Sequence, residues 1–271
     1  MVKISVIVPT YKPGVYIDKA IKSLFNQSLD PRLFEIIIVL NGPKDPFWDG
    51  LQKYAEEINN LKLYYNEISG VSNARNFGID KSKGEYVCFL DDDDWVSVNY
   101  LQGMLSLQET ISDKNLIVQS NWFAIKDGER RSDYIREAYA LLKDQRYSLF
   151  RYRKFLSSVA GKLISKKIID TIRFRSDLEI AEDAVFMFEL SKSIDEILLS
   201  DENCVYYREL RDGSVLRRKR NLTEILSNYF KKIKAYFQVY SSSAKEYDFF
   251  LFISRLVASS KMLVNDLVSS K

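Results

Sequence analysis

The sequence predicts an α/β fold: a mostly parallel sheet flanked by helices, with a C-terminal helical extension. Three observations carry this. Ile4–Val8, Ile36–Val39 and Tyr86–Leu90 are short apolar runs without polar alternation, as in strands buried on both faces of a parallel sheet. Amphipathic segments separate them, giving the β-α-β-α-β rhythm of right-handed crossovers. Beyond about residue 216 the apolar spacing becomes helical only.

Each element follows in order. Pro9 ends the first strand and Thr10-Tyr11-Lys12-Pro13-Gly14 forms a loop. Tyr16, Ile17, Ala20, Ile21, Leu24 and Phe25 mark the first helix. Glu35 to Leu40 makes the second strand, and Asn41-Gly42-Pro43 turns the chain. Trp48, Leu51, Ala55 and Ile58 mark a second helix, and Leu61 to Tyr65 a third strand. Gly70 to Gly78 opens a third helix with Ser72 or Asn73 as N-cap. The strand from Tyr86 and a helix near 99–110 complete a nucleotide-binding half. Leu116-Ile117-Val118 reads as a strand and residues 127–137 as a charged, exposed stretch. Arg146, Arg151, Arg153 and Lys154 alternate with aromatics, either as a basic patch or as a solvated face over a core stripe. Two final helices carry apolar stripes from Leu222 to Tyr240 and from Tyr247 to Val268.

Composition narrows the chemistry. The 271 residues are 46% hydrophobic, with a formal net charge of +3, too small to argue for a nucleic-acid partner. There is no histidine, which excludes histidine triads, bases and metal ligands. Cys88 lies inside a predicted buried strand and reads as core. No signal peptide or membrane-spanning run is expected, which suggests a cytoplasmic chain.

The chemistry concentrates at Asp91-Asp92-Asp93-Asp94, directly after a buried strand. Ligands of open α/β sheets bind at the carboxyl ends of strands. Four adjacent like charges repel unless a cation sits among them, and a hard divalent metal suits oxygen ligands. Glu182-Asp183 opens a helix, where acids are favourable in any case. Adjacent on a helix, these two are expected to point about 100° apart, so that only one faces a substrate. Arg208, Arg211, Arg217, Arg218, Lys219 and Arg220 surround Gly213-Ser214, a basic loop fit to clamp a diphosphate.

Four blocks resemble family 2 of the nucleotide-sugar-dependent glycosyltransferases of the bacterial surface-polysaccharide type, which have the Rossmann-like GT-A fold. They are Val6–Tyr11, Gly70–Gly78, Gly84–Trp95 and Glu182-Asp183 with its apolar helix. Tyr207-Arg208 with Gly213-Ser214 resembles the loop after the family's last core strand. The resemblance implies one GT-A domain over 1–215, with a nucleotide half over 1–110 and an acceptor half over 111–215. Residues 216–271 form the helical extension. It implies a donor site of Pro9, Tyr11, Asn41, Arg75, Asp91 and Asp92, with Arg208 and Ser214 closing over the diphosphate. Asp91 and Asp93 would form the DxD motif that holds Mn2+ or Mg2+, and Asp183 would be the base with Glu182 as its understudy. Leu40-Asn41-Gly42-Pro43 replaces the family's Asp-Asp-Gly-Ser turn, which weakens the case for a uridine nucleotide although a UDP-sugar is still favoured.

The implied reaction is inverting hexosyl or N-acetylhexosaminyl transfer to a glycan or lipid-linked glycan hydroxyl. The C-terminal helices would serve a peripheral contact with the inner membrane face or a homodimer. Two rivals are a nucleotidyltransferase, which lacks its glycine-rich loop here, and a degenerate nucleotide-sugar-binding or scaffolding member. A phosphatase would need an aspartate where Thr10 and Tyr11 stand.

Overall fold

The computed structural model describes residues 1–111, 114–143, 146–211 and 220–269. The first half follows the expected alternation: β1 Ile4–Thr10, α1 Ile17–Phe25, β2 Phe34–Asn41, α2 Trp48–Glu57, β3 Leu61–Asn66, α3 Val71–Lys81 and β4 Tyr86–Phe89. Then come β5 Trp95–Val96, α4 Tyr100–Gln108, β6 Leu116–Gln119, β7 Asn121–Lys126, β8 Glu129–Arg131 and α5 Tyr134–Leu142. The chain continues through a 3-10 turn Arg151–Ser157, β9 Lys162–Ser165, α6 Lys166–Ile169, α7 Glu182–Leu190, β10 Glu196–Leu199 and β11 Val205–Glu209. It ends in α8 Leu222–Ser242 and α9 Phe249–Ser269.

The main sheet has seven strands in the order β10-β6-β9-β4-β1-β2-β3. Every pairing in it is parallel except those of β9, which runs antiparallel between β4 and β6. β1 and β2 are buried along their whole length, which explains why both lack polar alternation. Because β3, β2, β1 and β4 are parallel, their carboxyl ends share one edge. That edge carries Tyr11, Asn41 and the acid run. Gly78 lets α3 lie close on β1, since a Cβ there would stand 2.4 Å from Ile7 Cγ2.

A second sheet, β5-β11-β7-β8, was not expected from the sequence. The chain steps from β6 into it through Ser120 alone. Two further expectations need correction. α3 starts at Val71 with Gly70 as its N-cap, at φ 117, so neither Ser72 nor Asn73 caps it. The stretch 127–137 is exposed only through β8; from Tyr134 it forms α5, which buries Ile135, Ala138, Tyr139 and Leu142. For the basic stretch the solvated face over a core stripe is what forms: Arg151–Ser157 buries Tyr152, Phe155 and Leu156 while Arg151 and Lys154 are exposed.

The C-terminal helices pack on α7. Phe188 stacks on Tyr247 and meets Tyr236 edge-on, while Tyr240 stacks on Phe252 at 4.2 Å. The expected boundary at 215 falls outside the described residues. Cys88 and Cys204 are free and buried. No helix among the described residues is long and apolar enough to cross a membrane.

Candidate functional site

The acid run forms a turn at the carboxyl end of β4, closed by the Asp94 N–H donating to the Asp91 carbonyl at 3.1 Å. No two of its carboxylates share a partner. Asp91 Oδ1 accepts from Arg75 Nη2 at 2.9 Å. Asp92 Oδ2 accepts from the Thr10 hydroxyl at 2.5 Å. Asp93 Oδ2 accepts from Arg211 Nε at 2.8 Å. Asp94 is buried, accepting from the Tyr206 hydroxyl at 2.6 Å and the Glu209 N–H at 2.9 Å.

Tyr206 organises this turn. Its hydroxyl also accepts from the Asp91 N–H at 3.3 Å, and its ring stacks on Trp122 at 4.7 Å. The small sheet therefore braces the acids of the large one. Burial, reinforced by Asp93 and Asp91, pushes Asp92 up to about 6. Burial and neighbouring carboxylates also raise Asp93 and Asp94. These acids favour any added positive charge. Arg211 supplies one, its guanidinium lying 3.9 Å from the centre of the Tyr16 ring.

The second acidic group is tied to the first by one side chain. Arg75 is buried, and its Nη1 donates to Asp183 Oδ1 at 2.5 Å and to Glu182 Oε1 at 3.0 Å. Its Nη2 holds Asp91, so one guanidinium forks to three carboxylates. Glu182 and Asp183 both converge on Arg75 despite their separation of about 100° on the helix. Burial alone would lower the Arg75 pKa, but Asp183, Asp91 and Glu182 hold it above its ordinary value.

Local structure explains the reach. The Asn76 amide makes two 2.8 Å bonds to the Phe174 backbone, and the Ser72 hydroxyl donates to the Arg175 carbonyl at 3.0 Å. These clips hold the chain that leads into α7 against α3. Phe174 stacks on Phe186 of α7 at 3.8 Å and lies under the Arg75 guanidinium at 5.3 Å. Ala181, at φ 65, takes the left-handed conformation just before Glu182, a strained choice for a residue with a Cβ.

Asp183 Oδ2 accepts from the Val159 N–H at 3.3 Å, which fixes the carboxylate from its other side. Lys162 is fully buried nearby, with its Nζ 3.3 Å from the Ala160 carbonyl. Burial lowers Lys162 to about 7 against the attraction of Asp183.

Burial and the adjoining Asp183 push Glu182 up to about 7, with Arg75 opposing. The direction is physically sound: three carboxylates share one positive charge, and retaining a proton relieves the excess. Unfolded, a glutamate titrates near 4.5. As pH rises from about 4.5 to about 7, the unfolded state sheds this proton first, so wild-type stability falls relative to Glu182→Gln. Above about 7 the gap stays constant. Urea unfolding of both proteins at acidic and alkaline pH is expected to show a wider gap, favouring Gln, on the alkaline side. A gap independent of pH would assign the shared proton elsewhere.

The remaining expected donor residues lie along the same edge. Pro9 is buried at the end of β1, opposite Val39. Tyr11 is 52% exposed, and its ring covers Gly42, where a Cβ would stand 2.4 Å from it. Asn41 is buried; its amide donates to the Thr10 carbonyl at 2.8 Å and accepts from the Gly70 N–H at 3.0 Å. These bonds buckle β1, β2 and α3 together. Leu40 is core. Arg208 lies two residues beyond Tyr206 on β11, on the same strand face and half-buried. Ser214 lies outside the described residues, as do Arg217, Arg218 and Lys219.

Sequence reasoning missed Thr10, Tyr206, Ser72, Asn76 and Lys162, and read Arg211 as part of a loop patch. The Ser72–Asn76 spacing inside the third helix was the one available signal. Among the described residues no three acidic or thiol side chains are gathered around a point that could hold a metal ion.

A mostly parallel sheet with acids at its carboxyl edge, joined to a second acidic pair across a buried arginine, is the arrangement these residues build. Comparison with known proteins narrows this. The glycosyl transferase family 2 profile matches residues 5–173, and the chain belongs to that family. The match ends before Glu182. The putative glycosyltransferase EpsH of Bacillus subtilis is 30% identical over 231 residues, which are 82% of this chain and 65% of that protein. The minor teichoic acid biosynthesis protein GgaB of the same organism is 26% identical over 253 residues, 86% of this chain and 28% of that one. The chain thus spans less than two thirds of the length of either relative. S. aureus TarS residues 1–349, solved with UDP-GlcNAc, superposes with a TM-score of 0.74 at 20% identity, covering 98% of this chain and 71% of that one. The mannosyltransferase PcManGT of Pyrobaculum calidifontis, solved with GDP-Man and Mn2+, gives 0.62 at 13% identity, covering 99% and 86%. The fold is GT-A.

Proposed function

We propose that the chain transfers a hexosyl or N-acetylhexosaminyl group from a nucleoside diphosphate, with UDP favoured, to a hydroxyl of a surface or lipid-linked glycan. A divalent cation, Mn2+ or Mg2+, assists, and the anomeric carbon inverts. One observation carries the reading: Arg75 joins Asp91 of the acid turn to Glu182 and Asp183 of α7. This bridge ties a group suited to the donor to groups suited to take a proton. The teichoic acid relative and the UDP-GlcNAc of the S. aureus neighbour support the donor and acceptor classes. The Mn2+ of the Pyrobaculum calidifontis neighbour supports the cation.

The donor set fits such an ion. Asp91 and Asp93 offer hard carboxylate oxygens, and the raised Asp92, Asp93 and Asp94 favour added positive charge. When bound, the ion would offset charge on the departing diphosphate. The chain's own residues do the rest. The exposed Tyr11 ring is suited to stack on the base. Arg208 and Arg211 are suited to grip diphosphate oxygens. As the acceptor oxygen bonds to the anomeric carbon, the bond from that carbon to the β-phosphate oxygen breaks, and its electron pair leaves with the diphosphate. The hydroxyl proton passes to an Asp183 carboxylate oxygen. Attack opposite the leaving group inverts the centre, and no histidine is needed.

Thermal unfolding with UDP, GDP, CDP and ADP, each with and without Mn2+, tests the donor site. A ligand at 100 times its dissociation constant adds about 2.7 kcal/mol. A Mn2+-dependent shift with UDP is the expected result. No shift with any nucleotide would remove the donor reading. A second reading, a binding-only member, draws on Arg75 and Arg211 already neutralising Asp91 and Asp93. It predicts the shift without any donor hydrolysis.

A further inference from the structure

The outer face of α9 is unusually apolar for a surface helix. Its inner face buries Leu251, Phe252, Arg255 and Ser259. Phe250, Ile253, Val257, Val264 and Val268 are exposed, Phe250 and Val268 at 69% each. At 100° per residue these five fall within an arc of roughly 60°, a stripe about 27 Å long. Lys261 lies about 20° beyond the edge of this arc and is exposed. The helix has one acidic residue, Asp266, which lies on the opposite side, where its charge acts on Lys232 of α8.

The stripe continues into a basic rim. Phe150 meets Phe250 edge-on at 6.3 Å, and Arg153 lies over the Phe150 ring at 4.7 Å. Arg151 and Lys154 are exposed beside them. None of these three cations forms an ion pair with a carboxylate among the described residues.

We infer that this face, the α9 stripe with the Arg151–Lys154 turn, docks on an anionic lipid surface. Charge decides the occupant. An apolar stripe rimmed by cations and free of carboxylates complements a bilayer interface bearing anionic headgroups. Two copies of the chain meeting through this face would set Lys261 and the arginines against one another with no acid between them. The helix lies in the interface plane and does not cross it, in keeping with its composition. The inference is independent of the proposed transfer reaction.

The test is sedimentation of the full chain with vesicles of phosphatidylcholine, with and without phosphatidylglycerol. Pelleting is expected only with phosphatidylglycerol, and it should fall as salt rises. Arg151→Ala with Lys154→Ala should weaken it by about 25-fold, at roughly fivefold per charge. Phe250→Asp with Val257→Asp should abolish it. All four positions are exposed, so unchanged circular dichroism and melting temperature show that the variants fold. Equal pelleting with neutral vesicles overturns the inference, and so does none with either. A mass that doubles with concentration, without pelleting, puts a second copy on this face instead.

Discussion

Asp183→Asn is expected to cut turnover by at least about a hundredfold, the lower range for removal of a general base. The substitution keeps the shape and leaves an oxygen for Arg75 or the Val159 N–H, so the fold and donor affinity should survive. Asp183 is held from two sides, by Arg75 Nη1 at 2.5 Å and Val159 N–H at 3.3 Å. Each carboxylate oxygen keeps a second lone pair for the acceptor proton. Glu182 competes for the role because its value of about 7 suits a base near neutral pH. Geometry favours Asp183, the more exposed of the two at 18% against 12%. Turnover of both Asp183→Asn and Glu182→Gln, at saturating donor, separates them. A larger loss in Glu182→Gln would move the base to Glu182.

Arg75→Met is expected to destabilise the chain by roughly 3 kcal/mol, the low end for removing one partner of a buried ion pair. Three carboxylates would then face one another with no cation. Asp91 is 40% exposed, so water relieves part of that cost and keeps the figure low. The loss should shrink as pH falls and the acids take up protons. Arg75→Lys should fall between, because an ammonium cannot fork as a guanidinium does. Urea unfolding at two pH values checks all three. A loss under about 1 kcal/mol, the scale of an exposed pair, would mean the guanidinium is not what gathers the acids.

What was legible in the sequence follows from burial. β1, β2 and β4 are covered on both faces, so each reads as an unbroken apolar run, and the acids end the last of them. The Glu182-Asp183 pair is visible as an acidic start to an apolar helix. The partners of these acids were not legible. Thr10, Tyr206 and Arg211 are ordinary residues whose meaning lies in contacts across the fold, and no local period marks them. β9 is short enough to resemble any apolar connector, which hid its antiparallel insertion. α5 was masked by the charges of β8 just before it. Asn41 was read as a turn residue of the donor site; its partners, the Thr10 carbonyl and the Gly70 N–H, lie 31 and 29 residues away in sequence. Arg75 was read as a ligand for the nucleotide; its three carboxylates lie 16, 107 and 108 residues away in sequence.

Those separations have a consequence for how the site comes into being. The bonds that brace Asp94 and Asp93 reach 112 to 118 residues forward, to Tyr206, Glu209 and Arg211. During synthesis the four aspartates emerge long before any of these, and before Glu182 and Asp183. A nascent chain ending near residue 173 would hold β1 to β4 but leave the acid turn without its braces. Such long-range closures are slow and come late. The turn that the fourth strand begins is thus sealed only once the last strand and the residues just past it are in place.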